Sequence, residues 1–293
     1  MEKSITYEAI LNRAAIDAGE KFHKLLYSIS PLYKDSSSLP DKIQYPLIQL
    51  FTSLIESFDS LILLTSCGRI WDAKLLGRVV AEGFLKFIYT FSGEHEEILI
   101  KLNEYLNIIP SKNRIKLHNT AKDFLGKVKV DSFKNEALLD TLLNEEEINK
   151  FKDTYSDKYL NKIFNKWSNN GLLTLLKDGL DPDLYISLVF DYKLSSQIAH
   201  IDADILKQKK DFSDDICKGI YTKSITLGAS TLANSLNIIM RCTLKFLRFQ
   251  GIDPEQFDKE LTEYHNVIKK LHEIAAKEWT QIEINDEIMK SGC

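Results

Sequence analysis

In ITYEAILNRAAIDAGEKFHKLLYSI, residues 5 to 29, apolar side chains return at three- and four-residue steps through Ile5, Ala9, Phe22, Leu25, Leu26 and Ile29. A half-buried strand would alternate, so this period predicts an amphipathic helix with one face turned to a core. The period returns in YPLIQLFTSLIESFDSLILLTS and in RIWDAKLLGRVVAEGFLKFIYTF, and no stretch alternates convincingly enough to be a strand. Only 12 glycines and 6 prolines punctuate 293 residues, too few for many short strands and their turns. No segment repeats at a fixed period, which excludes a solenoid. The expected fold class is all-α, a bundle of long helices joined by short loops.

The punctuation that exists sets the helix ends. SPLYKDSSSLP breaks the first helix, and Pro46 is tolerable only near the first turn of the second. Cys67-Gly68 and Ser92-Gly93 are C-terminal stops. Asp181-Pro182 supplies an N-cap and a first-turn proline for a later helix, and Asp253-Pro254 does the same for a last one reaching about Lys277. Between them, Ser213-Asp214-Asp215 reads as the start of a long helix running to Gly251. Residues 94–165 are more charged and less regular, although NEEEINKF has the start of a capping box at Asn144 and Glu147. We therefore expect one all-α domain over residues 1–293, with 94–165 as a helical insertion or lid.

Composition narrows the function classes. An apolar share of 44% with 27% charged residues belongs to a folded globule, and a net charge of −4 argues against a surface built throughout for nucleic acid. Cys67, Cys217, Cys242 and Cys293 are far apart and form no C-x-x-C pair, so neither a disulfide framework nor a zinc site is expected. No metal and no cofactor are expected. MEKSITYEAILNR lacks the apolar core of a secretory peptide, and SLILLTSC is too short to span a bilayer beside Glu56 and Asp59. The expectation is a reduced, cytoplasmic protein with no membrane partner. The phosphate-loop, nucleophile-elbow and zincin signatures are missing.

Two polar groups stand inside apolar helices. Arg78 and Glu82 are four residues apart in GRVVAEGF, hence on one face. In YKLSSQIAHID, Tyr192, Ser196 and His200 follow at four-residue steps, with Lys193 seven residues before His200 and Asp202 and Asp204 just beyond. An imidazole can exchange a proton near neutral pH, and a nearby lysine or arginine can stabilise developing negative charge. Ser196 and Tyr192 could orient the ring or a ligand by hydrogen bonds. The alternative is a hydrogen-bonded structural network inside the bundle. His265 and His272 share a face of the last helix without a third metal ligand, and KQKK at 207–210 and SKNRIK at 111–116 are short basic clusters that could meet a phosphate backbone or, equally well, be solvated loops.

The Arg-x-x-x-Glu helix followed much later by a Tyr-x-x-x-Ser-x-x-x-His helix resembles an uncharacterised bacterial helical family. That family is in turn similar to the HEPN (higher eukaryotes and prokaryotes nucleotide-binding) superfamily. The resemblance covers roughly residues 45 to 245 and rests on Arg78, Glu82, Tyr192, Ser196 and His200. It implies a HEPN-like bundle with a helical insertion, often dimeric. It also implies a metal-independent ribonuclease of a toxin or phage-defence system, with RNA or a nucleotide as partner and a cognate antitoxin or defence protein beside it. Such domains carry an Arg followed after four to six residues by the catalytic His; here Lys193, Leu194 and Ser195 stand at those positions, and lysine is a point charge rather than a bidentate fork.

Two functions follow as expectations. In the first, His200 is the general acid/base, Lys193 and Arg78 bind the scissile phosphate, Glu82 positions Arg78, and Tyr192 and Ser196 supply hydrogen bonds. In the second, the chain is a non-catalytic helical module for nucleotide or protein binding, and the polar stripe is structural. A homodimer is expected from the resemblance and from the apolar length of residues 215–249.

Overall fold

The computed structural model describes residues 7–30, 39–127, 139–218 and 220–278. In chain order the helices are α1 (Tyr7–Ile29), α2 (Asp41–Ser66), α3 (Ile70–Thr90), α4 (His95–Asn103), α5 (Ile109–Lys127), α6 (Glu145–Thr154), α7 (Asp157–Trp167), α8 (Asn169–Leu176), α9 (Pro182–His200), α10 (Ala203–Cys217), α11 (Thr222–Phe249) and α12 (Asp258–Ala276). A π-helical turn at Glu104–Ile108 joins α4 to α5, and a 3₁₀ turn at Pro254–Phe257 leads into α12. The described residues contain no strand, so the chain is all-α.

Most of the sequence punctuation acts as its chemistry requires. Asp181 caps α9 by accepting from the backbone N–H groups of Asp183 and Leu184, and Asn144 caps α6 by accepting from Glu146. Gly68 and Gly93 take positive φ of 69° and 86° just past α2 and α3, where a side chain would be strained. Other expectations need correction. Ser213-Asp214-Asp215 does not open a helix; these residues complete α10, and the chain restarts at Thr222. The KQKK and SKNRIK clusters lie on α10 and α5 and not in loops. Pro46 sits one turn inside α2, which begins at Asp41. Most of SPLYKDSSSLP and Cys293 lie outside the described residues.

The chain divides into two compact units, residues 1–88 with 177–293, and residues 89–176. In the first, α1, α2, α11 and α12 pack on one another around Phe22, Phe51, Phe58, Phe246 and Tyr264. Phe22 meets Phe58 edge-on at 4.9 Å, and Phe51 stacks on Phe246 at 4.6 Å. The Tyr264 hydroxyl donates to the Leu236 carbonyl at 3.0 Å, which satisfies the one polar atom of a fully buried ring. α11 is the central helix, with Ile225, Leu232, Leu236, Ile239 and Leu247 all sealed. Its apolar length is therefore consumed inside the unit and does not by itself call for a dimer.

α2 has 26 residues and a mean hydropathy of 1.6 over its most apolar window, long and apolar enough to cross a membrane. The expectation that this region is too short to span is thus revised. Its hydropathy has a nearer cause in this fold: Ile43, Leu47, Phe51, Leu54, Phe58 and Leu61 form one buried face against α1 and α11. In the second unit, Ile98, Leu102, Ile108, Leu160, Ile163 and Trp167 form a smaller core of their own.

Candidate functional site

α3 carries Lys74, Arg78 and Glu82 at four-residue steps, so they form a row along one face. Gly77 interrupts that row with no side chain. A β-carbon there would lie 3.3 Å from a Thr231 methyl and 3.6 Å from the Ser235 hydroxyl on α11, so glycine lets the two helices approach closely. The approach brings Lys74 to a polar junction of α3, α9 and α11.

The Lys74 side chain is only 3% exposed, and its ammonium pairs with Asp191 Oδ1 at 2.5 Å. The other carboxylate oxygen of Asp191 accepts from Asn234 Nδ2 at 3.0 Å. Ser195, one turn after Asp191, directs its hydroxyl to the Asp191 carbonyl at 2.6 Å and the Lys74 carbonyl at 3.1 Å. No side-chain polar atom of Lys74, Asp191 or Ser195 is left buried without a partner. A buried ammonium is tolerable only with such a charge partner and shell of hydrogen bonds.

Arg78 stands one turn further along α3. Its Nε donates to Glu82 Oε1 at 2.8 Å, and Nη2 donates to the Tyr192 hydroxyl at 3.2 Å, with the guanidinium carbon 4.5 Å from the Tyr192 ring centroid. The Glu82 hydrogen bond holds the Arg78 pKa above its usual value, while partial burial pulls the other way. The Arg78 and Glu82 side chains keep 24% and 30% of their exposure. Water screens the pair, so it is worth about 1 kcal/mol rather than the several of a sealed pair.

The structure therefore brings Arg78, Glu82 and Tyr192 together. It does not bring His200 to them. His200 is the last residue of α9, exposed, and its side chain makes no hydrogen bond among the described residues. Eight residues of helix separate it from Tyr192, about 12 Å along the axis. Lys193 is exposed as well, and Ser196 is half-buried. At 3.6 residues per turn, Ile186, Val189, Phe190, Lys193, Ser196 and His200 fall within one arc of roughly 120° on α9. Ile186, Val189 and Phe190 are exposed, so this solvent face is apolar toward its N-terminal end and basic and polar toward its C-terminal end.

Residues 44–216 match the model of a family of unknown function, DUF5677. The chain belongs to that family. The matched segment takes in Lys74, Arg78, Glu82, Asp191, Tyr192 and His200, and ends at α10, before Asn234 on α11. No curated protein and no solved structure matches the chain.

Lys74, Asp191, Ser195 and Asn234 form the most enclosed polar centre of this site, and none of the four was given a role from the sequence. A signal existed for three of them. Lys74 lies four residues before Arg78 in an apolar helix, and Asp191 lies four before Ser195. Asn234 has no such partner in sequence. No group of three or more His, Cys, Asp or Glu side chains able to hold a metal ion is present among the described residues.

Proposed function

We propose that the chain is an RNA-directed binding module of HEPN-like fold, acting in the cytoplasm, in which the solvent face of α9 meets phosphates and His200 does not run a cleavage reaction. The observation that carries this reading is the separation of His200 from Arg78. A general base needs a partner to orient it and a neighbouring group to hold the reacting phosphate. The His200 side chain has no hydrogen-bond partner among the described residues to orient it and lies away from Arg78; it shares an open face with Lys193, where a cation and an imidazole can contact a backbone phosphate without reacting. The resemblance to nucleotide-binding HEPN domains supports RNA as the partner, and a cognate defence protein or antitoxin fits the same reading. The exposed Ile186, Val189 and Phe190 support a homodimer through the apolar end of that face.

Fluorescence anisotropy with a labelled single-stranded RNA tests the reading, run in parallel with incubation of total RNA. Wild type is expected to bind and to leave RNA intact. Lys193→Ala combined with His200→Ala is expected to weaken binding and to flatten the logarithmic salt dependence by about 0.7 for the lost lysine contact. Cleavage by wild type that disappears in His200→Ala would instead establish the ribonuclease. Unchanged binding by the double variant would remove the α9 face from RNA contact.

A further inference from the structure

We propose that the first unit holds a separate binding site for a small phosphomonoester of nucleoside monophosphate size, in a cavity of about 530 Å³ bounded by the first turn of α9, by α11 and by α12. The volume falls within the roughly 300–1000 Å³ of cavities that hold small ligands. α11 contributes Asn234, Asn237 and Arg241, at three- and four-residue steps on one face. α12 answers with His265, Lys269 and His272, again at four- and three-residue steps. The shared face of the two histidines, legible in the sequence, thus looks into a cavity that also holds an arginine and a lysine.

Charge decides the ligand class. Neither Arg241 nor Lys269 has a carboxylate partner among the described residues, whereas Lys270, next along α12, pairs with Asp17, and Lys24 pairs with Glu263. The Arg241 Nε donates to Asn237 Oδ1 at 3.3 Å, which steadies the guanidinium and leaves both terminal nitrogens for a ligand. Across the cavity, Asp181 is already engaged as the cap of α9, and Asp183 is an exposed carboxylate. A steadied guanidinium from α11, with a lysine and two imidazoles from α12, suits a dianionic phosphoryl group, which a planar arginine fork and a lysine recognise together. The remaining volume, with an acceptor at Asp183 and amides at Asn234 and Asn237, suits hydroxyls and ring nitrogens of an attached sugar and base. Asn234 also donates to Asp191, so the cavity shares a residue with the buried Lys74–Asp191 pair.

This inference does not rest on the α9 face binding RNA, and its phosphomonoester can come from a free nucleotide or from a phosphorylated RNA end. Calorimetric titration of the full chain with AMP, GMP, CMP and UMP, with adenosine and inorganic phosphate as controls, tests it. At least one monophosphate is expected to bind at least tenfold tighter than both controls. Arg241→Gln and the surface change Lys269→Gln should each weaken it about tenfold, the loss of one charge-assisted contact. Lys193→Ala with His200→Ala should leave it unchanged. A short RNA binding only when 5′-phosphorylated, with the same loss in Lys269→Gln, would assign the phosphate to RNA ends; free nucleotide binding alone would assign it to a soluble ligand. No monophosphate binding at millimolar concentration would overturn the proposal. So would binding that Lys269→Gln leaves intact, or inorganic phosphate binding as tightly as any nucleotide.

Discussion

Lys74 in the first unit and Glu104 in the second are both buried charges, and they are held in different ways. Lys74 is sealed by residues from three helices, with Asp191 117 positions away in sequence and Asn234 further still. Glu104 sits at the start of a π-helical turn and takes both partners from the last turn of α7. Trp167 Nε1 donates to its Oε2 at 2.8 Å, and Lys166 pairs with the same oxygen. Tyr105 stacks on the Trp167 ring at 5.1 Å, and Tyr89 meets it edge-on. What separates the two is the cation. The Lys74 side chain is 3% exposed and the Lys166 side chain is 25% exposed. If its acid is lost, Lys166 can turn to water and Lys74 cannot.

The same chemical edit should therefore give unequal losses. Asp191→Asn keeps the shape of the side chain and strands the Lys74 ammonium in the core, so stability should fall by about 3–5 kcal/mol. Adding Lys74→Met to an Asp191→Leu background should restore most of it, because apolar residues of similar volume replace a buried pair at little cost. Urea unfolding measures both. A loss under about 1 kcal/mol in Asp191→Asn would mean that water reaches Lys74 and that the junction is open.

Glu104→Gln gives the smaller effect. The amide oxygen still accepts from Trp167, and Lys166 loses only its ion pair, so the expected loss is about 1 kcal/mol. Hydrogen exchange read by mass spectrometry can place each loss. Asp191→Asn should raise exchange in peptides from α3 and α9, and Glu104→Gln in peptides from the turn at Glu104–Ile108 and α7. A Glu104→Gln loss equal to that of Asp191→Asn would abolish the distinction between a sealed cation and one with access to water.

The contrast also explains what the sequence made legible. Helix period and caps are local properties, so Asp181-Pro182, Asn144 and the glycines at 68 and 93 could be assigned from a few neighbouring residues. Arg78 with Glu82 was readable for the same reason, since both lie on one helix turn. Lys74 with Asp191 and Asn234 was not, because the junction exists only once α3, α9 and α11 have packed. The start expected at Ser213-Asp214-Asp215 shows the opposite failure. Those residues have the chemistry of an N-cap and are exposed or half-buried inside α10, where helix continuation satisfies their backbone without them. Spacing put His200 on one stripe with Tyr192 and Ser196, and spacing along one helix fixes a face without fixing what lies opposite it.

A third ionic contact, between α1 and α2, sharpens the comparison from the exposed side. His23 Nε2 lies 3.2 Å from Asp59 Oδ1, with the two side chains 58% and 40% exposed. That oxygen is itself buried and makes no aligned hydrogen bond. Burial raises the Asp59 pKa, His23 opposes the rise, and Glu56 adds to it. A raised folded-state pKa means that the folded chain holds this proton more tightly than the unfolded chain. The resulting stability is fully present below the unfolded value, about pH 4, and is lost as the pH rises through the higher folded value. At neutral pH the ionised carboxylate thus works against the fold, despite its histidine neighbour. Asp59→Asn should give a small rise in Tm over wild type at pH 7, and that difference should vanish below about pH 4. A lower Tm than wild type at pH 7 would show that the contact with His23 outweighs the burial of the carboxylate oxygen. A half-exposed pair would then hold its helices together as a net attraction, and access to water would no longer be what separates Lys74 from Lys166.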